Sequence, residues 1–365
     1  MFTKSKSTSP PSKTKLRILV LADFFPEAAA TILDHASSVR RYSKHRFQYI
    51  NPVARRKPGW LKLDAYDAII VHYSVFCIHE TYLDITWRKA LAETATLKIQ
   101  FIQDEYRYVN LVHQFITECG INILFTCIPT SEIEKTYPRT KFPKLVKVNT
   151  LTGYVPEYLE SGKYLASSVP RPVDVGYRAR GMGFWWLGAL YQEKFQIGQQ
   201  FSKLGPRHGL RCDISAREED RLYGEAWLRF LQNCKATLGT ESGASVIDWD
   251  GSIERRVSEA IKRNPRITFA EVSRKILKPH EGKVKMNQIS PRIFEAIGCG
   301  TLLVLFEGKY SGAIEPWKHY VPLKKDFSNI SKVVKTIQDE KKRFSITEMA
   351  FRDIIKSGKD RKSVV

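Results

Sequence analysis

Short apolar segments alternate with amphipathic ones along most of this chain, and a polar stretch rich in serine and proline interrupts the alternation once. Apolar runs of strand length, such as ILVLAD and AIIVHYS, are each followed by a segment with helical spacing of its apolar residues. This alternation predicts parallel sheets covered by helices on both faces. A chain of 365 residues is long enough for two such units.

The predicted fold class is therefore α/β, with two Rossmann-like, doubly wound parallel-sheet domains that face a cleft. Residues 16–158 are expected to form the first domain and residues 173–340 the second, with a linker at 159–172. Residues 1–15 have the Ser, Thr, Pro and Lys content of a disordered basic tail. The last segment, 341–365, is expected to form a helix that crosses back to the first domain, followed by a tail.

The net charge and the cysteine content indicate which ligands and which cellular compartment to expect. With 59 basic and 38 acidic residues the net charge is +21, which favours anionic ligands such as phosphorylated substrates, acidic polymers or an anionic membrane surface. No apolar run reaches the roughly 18 residues of a membrane span, and the N-terminus has no apolar signal-peptide core. Six scattered cysteines without a CxxC pair are typical of free thiols in a reducing compartment. These features predict a cytoplasmic protein.

The segment 287–312, NQISPRIFEAIGCGTLLVLFEGKYSG, reads as loop, helix, tight turn and buried strand. Ser290 is the expected N-cap and Pro291 the first helical residue, which would place Glu295 in the first turn. The positive end of a helix favours an anionic ligand such as a diphosphate. A carboxylate beside that ligand can accept hydrogen bonds from sugar hydroxyls. The segment is thus the strongest candidate for a ligand site.

FEAIGCGTLLV resembles the end of a Glu-x7-Glu element in the nucleotide-sugar site of GT-B glycosyltransferases, of which the family-4-like members end in an LEAMACGTPVV-like string. This chain has Asn287 where that element has its first Glu, and Glu295 where it has its second. The wider string resembles a poorly characterised bacterial branch of the superfamily. The resemblance implies a glycosyltransferase of the hexosyltransferase type, in which the second domain holds the nucleotide sugar and the first holds the acceptor.

In open parallel sheets, ligands bind beyond the carboxyl ends of the strands, so polar residues at those positions are catalytic candidates. His72 follows AIIV and can act as a base or bind a phosphate, or can simply be a hydrogen-bonded structural histidine. Asp104 and Glu105 follow KIQFIQ, and one of them can deprotonate an acceptor hydroxyl. Sequence leaves open an inverting transfer with such a base or a retaining one in which the donor phosphate takes the proton.

The second domain has its own candidates. Arg178 follows the strand VDVGY and can stabilise the leaving diphosphate, with Arg180 beside it, although two solvated arginines would show the same pattern. The loop GTESGAS is suited to contacts with a nucleoside. The further residues expected to bind substrate are Thr240, Glu241, Ser242, Lys285, Asn287, Arg292, Glu295, Tyr310, Ser311 and Gly312.

Asp248-Trp249-Asp250 is formally a DxD, the metal-binding signature of the other large glycosyltransferase fold. It precedes an amphipathic helix, so capping by Asp250 or Ser252 is the favoured interpretation, and no metal is predicted. The expected cofactor set is empty, because the nucleotide sugar is a co-substrate.

The leading prediction is a metal-independent glycosyltransferase that acts on a glycan or lipid-linked, anionic acceptor, with peripheral contact to an anionic membrane and no specific nucleic acid. One alternative is a protein without catalysis that uses its basic surface to bind polyanions or membranes. Another is a nucleotide-sugar-binding scaffold of the same fold, which the replacement of a glutamate by Asn287 favours.

Overall fold

The computed structural model describes residues 15–24, 30–152, 155–165, 170–179, 181 and 183–358. The predicted basic tail lies outside these residues except for Lys15, and so does the site candidate Arg180. Two parallel sheets with helices on both faces confirm the predicted fold class. The sheets lie within the two predicted domains, whose limits stay predictions.

The first sheet has six strands in the order β2-β1-β3-β4-β5-β6, all parallel. The strands are β1 (Arg17–Leu21), β2 (Arg46–Ile50), β3 (Ala68–Val71), β4 (Leu97–Ile102), β5 (Ile123–Thr126) and β6 (Val146–Asn149). The helices are α1 (Ala30–Tyr42), α2 (Ile85–Glu93), α3 (Val109–Glu118), α4 (Ile133–Thr136) and α5 (Glu157–Glu160). Strand β2 has no counterpart in the sequence analysis, because an edge strand with no buried residue lacks an apolar run.

The second sheet has five parallel strands in the order β11-β10-β9-β7-β8. The strands are β7 (Val173–Arg178), β8 (Cys212–Ser215), β9 (Cys234–Gly239), β10 (Leu302–Phe306) and β11 (Val321–Leu323). The helices are α6 (Ala189–Arg207), α7 (Gly224–Gln232), α8 (Ser252–Arg263), α9 (Phe269–Val272), α10 (Pro291–Gly298), α11 (Ile330–Gln338) and α12 (Glu340–Ala350). No helix among the described residues combines the length and the apolar composition needed to cross a bilayer.

The strand order reverses direction between β1 and β3 in the first sheet and between β7 and β9 in the second. At such a switch point the connections leave toward opposite faces, so a crevice opens beyond the carboxyl ends of the two strands. Each sheet therefore offers one preferred place for a ligand.

Side chains from the second half of the chain complete the core of the first domain. Ile247, Val284 and Met286 pack with the buried residues beneath the first sheet. The backbone of Asp248 pairs with the segment before α3, since its N–H donates to the Tyr106 carbonyl at 2.7 Å. The two sheets are thus joined by a continuous apolar and hydrogen-bonded contact along one side of the cleft.

The last described residues lie on the second domain's side of that cleft. After α12, the π-helical turn Phe351–Ile355 packs against α10, and its buried residues join the core under β10. Asp353 and Ile354 also border a cavity that Asn149 and Leu151, at the end of β6, line from the first domain. The terminal helical segment thus packs on the second domain and shares this cavity with the end of β6, while its crossing to the first domain stays a prediction.

Candidate functional site

A cavity of about 270 Å³ opens at the switch point of the second sheet, and we call it the switch-point pocket. Tyr177 and Ala179 line it from the end of β7, and Thr237 to Thr240 line it from β9. Ser290, Arg292 and Ile293 line it from the start of α10. Helix α10 begins at Pro291, as the sequence predicts, so its positive end is directed toward this cavity.

Three cationic side chains surround the switch-point pocket. Lys194 of α6 donates to Ser242 Oγ at 2.9 Å, and Arg292 donates to the Arg178 carbonyl at 2.7 Å. Arg221 forms an ion pair with Glu218 and lies over the ring of Tyr223. Because Glu218 balances Arg221, Lys194 and Arg292 are the cations that favour an anionic ligand here, and they come from elements that are far apart in the chain.

The sequence predicted Arg292 and Thr240 as site residues but not several other lining residues, among them Tyr191, Lys194, Arg221 and Trp227. The sequence could have indicated Lys194, because this residue lies in the first two turns of the helix that follows β7. No sequence pattern indicates Arg221 or Trp227, since both reach the pocket through tertiary packing alone.

Glu295 acts on the switch-point pocket through a neighbour. Helix α10 starts at Pro291, so Glu295 is its fifth residue and lies in the second turn, and the expectation of a first-turn position was wrong. Its Oε2 accepts a hydrogen bond from Trp227 Nε1 at 2.7 Å. Burial raises the pKa of Glu295, while the Trp227 hydrogen bond and Arg292 act in the opposite direction. The carboxylate thereby orients an indole that lines the pocket.

A second helix start near the site is already occupied by a carboxylate. Glu281 Oε1 accepts a hydrogen bond from the N–H of Ala189, the first residue of α6, at 3.1 Å. An anionic side chain at this position uses the favourable field of the helix end. The start of α6 is thus occupied by a side chain of the protein, whereas residues at the start of α10 line the pocket.

The loop after β9 is held by Glu241. This buried carboxylate accepts hydrogen bonds from the N–H groups of Lys309 and Tyr310, at 3.1 and 2.8 Å, and from Asn287 Nδ2 at 2.7 Å. Ser242 pairs through its backbone with Gln288. Glu241 and Asn287, both predicted to bind substrate, thus contact each other and bring three loops together at the edge of the site.

The other predicted substrate-binding residues lie elsewhere. Tyr310 is fully buried and its hydroxyl donates to the Phe306 carbonyl at 2.6 Å. Ser311 and Gly312 border the separate cavity shared with Asn149. Lys285 is exposed and donates its backbone N–H to Glu132 of the first domain at 3.0 Å. The structure does not bring these four residues into the switch-point pocket.

Arg178 is directed into the protein beside β8. Its guanidinium pairs with Asp213 at 2.8 Å, donates to the carbonyls of Asp213 and Asp220, and lies 4.2 Å from the centre of the Phe230 ring. These contacts hold the loop after β8 against the sheet. The Arg178 carbonyl, rather than its side chain, contacts Arg292 of the pocket.

The carboxylates of Asp248 and Asp250 in the DxD sequence also accept hydrogen bonds from backbone N–H groups. Asp248 accepts hydrogen bonds from the N–H groups of Gly251 and Glu254, both at 2.9 Å, and Asp250 accepts one from Ser252 at 2.9 Å. Capping of α8 is the expected outcome for Asp250, and Asp248 shares this role.

In the first domain, His72 is buried and paired with a second histidine. The backbone N–H of Ser74 donates to His72 Nδ1 at 3.1 Å, so the His72 proton lies on Nε2, which is 2.8 Å from His35 Nδ1. Burial lowers the pKa of His35 to about 4, and burial together with His35 lowers the pKa of His72 well below its usual range. Both rings are neutral at pH 7 and stabilise the switch point of the first sheet.

Asp104 and Glu105 have opposite environments. Glu105 is buried and accepts hydrogen bonds from Thr126, Tyr137 and the N–H of Cys127, while burial raises its pKa to about 7. Asp104 is exposed, has a left-handed backbone with φ of 55°, and accepts a hydrogen bond from the Tyr106 hydroxyl at 2.6 Å. Only Asp104 presents an accessible carboxylate.

Asp104 borders a second cavity of about 380 Å³ between the two sheets, which we call the aromatic pocket. Eight of its twenty lining residues are Phe, Tyr or Trp, and they come from β4, from the segments after β3 and β4, and from the start of α6 with the turn before it. Tyr191 lines both this cavity and the switch-point pocket. The two pockets therefore meet at one side chain, which would bring ligands in them close together.

Solved structures share this two-sheet architecture. An alpha-glucosyltransferase in complex with UDP and a 13-mer DNA containing an HMU base aligns with a TM-score of 0.51 at 10% identity, covering 95% of this chain and 98% of the other. Another structure of an alpha-glucosyltransferase with UDP and such a DNA gives 0.50 at 9% identity, covering 95% and 99%. The chain has the GT-B glycosyltransferase fold.

A third GT-B structure, of Anabaena HepE in complex with UDP-glucose, aligns at 10% identity over 96% of this chain and 98% of the other, with a TM-score of 0.49. No protein-family model matches the chain, and no curated protein sequence matches it significantly.

Proposed function

We propose that this protein transfers a sugar from a nucleoside-diphosphate sugar to a hydroxyl group of an acceptor. The observation that carries the proposal is the cationic switch-point pocket, in which Lys194, Arg221 and Arg292 surround a cavity at the start of α10. The GT-B fold of the chain and the UDP bound in the structures of its fold neighbours support the same assignment.

The diphosphate would lie between Lys194 and Arg292, with the nucleoside against Trp227 and Thr240. Positive charge on these side chains stabilises the negative charge that develops on the departing diphosphate as its bond to the anomeric carbon breaks. Side-chain cations and a helix end thus supply the neutralisation that a divalent ion provides in DxD enzymes, so we infer a transfer that needs neither metal nor cofactor.

The acceptor would enter the aromatic pocket on the first-domain side. Its hydroxyl oxygen forms the new bond to the anomeric carbon, and the electron pair of the broken bond leaves with the diphosphate. In an inverting transfer the hydroxyl proton passes to Asp104, and in a retaining one it passes to an oxygen of the leaving diphosphate. Arg178 would act only through its carbonyl contact to Arg292.

A thermal-shift screen tests the donor assignment, since a ligand that binds only the folded state raises its apparent stability. The ligands are UDP, GDP, ADP, dTDP and CMP with their sugar conjugates. We expect one nucleotide series to raise Tm selectively, followed by turnover of the matching sugar conjugate in the presence of EDTA. Binding without any turnover would instead support the nucleotide-sugar scaffold, and a turnover that EDTA abolishes would refute metal independence.

A basic loop of the first domain suits contact with an anionic membrane that carries a lipid-linked acceptor. Trp60 and Ile85 are 69% and 71% exposed, and Arg55 and Arg56 are also exposed. The loop is held beside α2, because the N–H of Lys57 donates to Thr86 Oγ1 at 2.9 Å. Exposed aromatic and basic side chains together favour an anionic bilayer surface.

Sedimentation with vesicles tests this contact. We expect binding to phosphatidylglycerol vesicles that is weakened by salt and by the Arg55→Ala/Arg56→Ala pair, with little binding to phosphatidylcholine. Equal binding to both vesicle types would refute the proposed membrane contact.

A cytoplasmic location is proposed on a separate observation, namely that all six cysteines are free thiols and five of them are buried.

A further inference from the structure

The aromatic pocket differs from the switch-point pocket in the chemistry of its walls. Six of its aromatic side chains surround the cavity from both domains: Tyr73, Phe76, Tyr82, Tyr106, Trp186 and Tyr191. Rings on opposite sides of a cavity provide flat apolar faces, against which the C–H face of a sugar ring or another flat group can pack. The walls thus select for a ring-shaped ligand.

The charges at the aromatic pocket disfavour an anion. Asp104 presents an exposed carboxylate at its edge. The guanidinium of Arg107 is paired with both oxygens of Glu254, at 3.0 and 2.9 Å, and lies against the rings of Tyr108 and Trp186. Because Glu254 balances Arg107, the uncompensated charge among the described residues that line the cavity is negative. A phosphate or carboxylate on the ligand would be repelled.

Gln100 contributes an unused hydrogen-bond acceptor. This glutamine lines the aromatic pocket and is only 1% exposed. Its Nε2 donates to the Phe101 carbonyl at 2.5 Å, while its Oε1 has no hydrogen-bond partner among the residues that the structure describes. A buried acceptor without a partner is unfavourable, so a ligand group that donates a hydrogen bond would be favoured there.

We propose that the reacting end of the acceptor is an uncharged pyranose ring, which packs against the aromatic walls and donates hydroxyl hydrogen bonds to Gln100 and Asp104. This inference rests on the proposed function and adds the class of its acceptor. It replaces the expectation of an anionic acceptor. The anionic donor binds among the cations of the switch-point pocket, and a neutral acceptor sugar binds beside Asp104 in the aromatic pocket. A lipid or polymer attached to that sugar can still carry negative charge farther away.

Matched sugars test the proposal directly. Saturation-transfer NMR on the full chain with UDP added would compare methyl glucoside with methyl glucuronide, and methyl galactoside with methyl galacturonide. Each pair differs only by the carboxylate at C6. We expect at least one neutral sugar to bind about tenfold more tightly than its uronide, which is the effect of one unfavourable polar contact. Equal or tighter binding of the uronides would overturn the proposal.

Two substitutions separate the contributions. Asp104→Asn removes the negative charge but keeps a polar side chain, so binding of the uronide should rise toward that of the neutral sugar. Gln100→Leu removes the unused acceptor, so neutral-sugar binding should fall about tenfold while Tm stays within a few degrees of the wild type. A Gln100→Leu protein that unfolds early, or that binds sugar normally, would contradict the role given to Gln100.

UDP binding distinguishes this inference from the function on which it rests. A wild-type protein that shows no thermal shift with UDP or any other nucleotide would refute the proposed function itself. A protein that binds a nucleotide normally but binds neutral and charged sugars alike would refute only the acceptor class. Phe76→Ala provides a further check, because Phe76 is 43% exposed and its loss should weaken sugar binding without loss of folding.

Discussion

The indole of Trp227 connects Glu295 to the switch-point pocket: its Nε1 donates to Glu295 Oε2 at 2.7 Å, and the guanidinium of Arg292 lies 5.0 Å from the centre of its ring. Trp227 lines the pocket, whereas Glu295 borders a small cavity beside α1 of the first domain. The glutamate that the sequence singles out therefore positions a pocket residue in this structure.

This relationship predicts different results for two substitutions of Glu295. Glu295→Ala removes the hydrogen-bond acceptor of Trp227 and should weaken nucleotide binding about tenfold, as expected for loss of one buried hydrogen bond. Glu295→Gln keeps an oxygen that can accept the same bond and should retain most of the affinity. Calorimetric titration with the nucleotide found in the screen measures both. Equal losses in the two variants would argue for a direct role of the carboxylate charge.

The cations of the switch-point pocket should discriminate diphosphates from monophosphates. Lys194→Ala and Arg292→Ala are each expected to weaken nucleoside-diphosphate binding about tenfold or more, and monophosphate binding less, because each removes a charged contact. Lys203→Ala is the matched control, since Lys203 is an exposed residue farther along the same helix α6. A comparable loss in the control would show that general surface charge, rather than the pocket, is responsible.

The buried histidine pair should make the fold sensitive to acid. Both pKa values are lowered in the folded state, so the unfolded chain binds more protons and stability is lost as pH falls from about 6.5 toward 4. For His35 this amounts to on the order of 3 kcal/mol. Urea denaturation between pH 7.5 and 4.5 should show a smaller pH dependence for His35→Gln than for the wild type. An unchanged slope would contradict the buried, neutral state.

Glu105 should act in the opposite direction. Its pKa is raised to about 7 by burial, so its protonated form is favoured in the folded state. The stability it contributes is present below about pH 4.5 and is lost as pH rises to about 7, by on the order of 3 kcal/mol. Glu105→Gln should remove this loss, so the difference in unfolding free energy between variant and wild type should change by that amount between pH 4.5 and 8. A constant difference would contradict it.

Gly243 should be irreplaceable in the loop after β9. Its φ is 97°, and a Cβ added to it would lie 1.8 Å from the carbonyl oxygen of Met286, a backbone atom. Gly243→Ala should therefore lower the unfolding free energy by at least about 3 kcal/mol. Gly209→Ala is the control, because Gly209 also has a positive φ but no atom within 4 Å, and should cost about 1–2 kcal/mol. Chemical denaturation compares the two, and similar costs would refute the clash.

Much of the fold was predictable because buried parallel strands carry a strong local signal. Strands β3 and β10 are continuous apolar runs, and the Pro291 start of α10 follows from local capping preferences. Strands β2 and β11 lie at the edges of their sheets. No residue of β2 is buried and β11 has three residues, so neither sequence shows a clear strand pattern. Local pattern therefore predicts the sheet interiors better than their edges.

The candidate site was only partly predictable. Asp104 and Glu105 are adjacent in sequence, yet the first is exposed at a cavity and the second is enclosed by Thr126 and Tyr137. Arg178 ends a strand at the switch point, but Asp213 on the neighbouring strand pairs with it beside the sheet. The direction of each side chain depends on partners that are distant in the chain.

The sequence alone determined the class of this protein: two parallel α/β units, a helix start at Pro291 after a polar loop, and an excess of positive charge. These properties depend on residue spacing and composition, which are local. Only the tertiary structure decided that Lys194, Arg221 and Trp227 surround one pocket and that Tyr191 joins it to another. Residues that are far apart in the chain meet at one pocket because of strand order and helix packing. Strand order and helix packing are in turn determined by long-range contacts, which local sequence does not show.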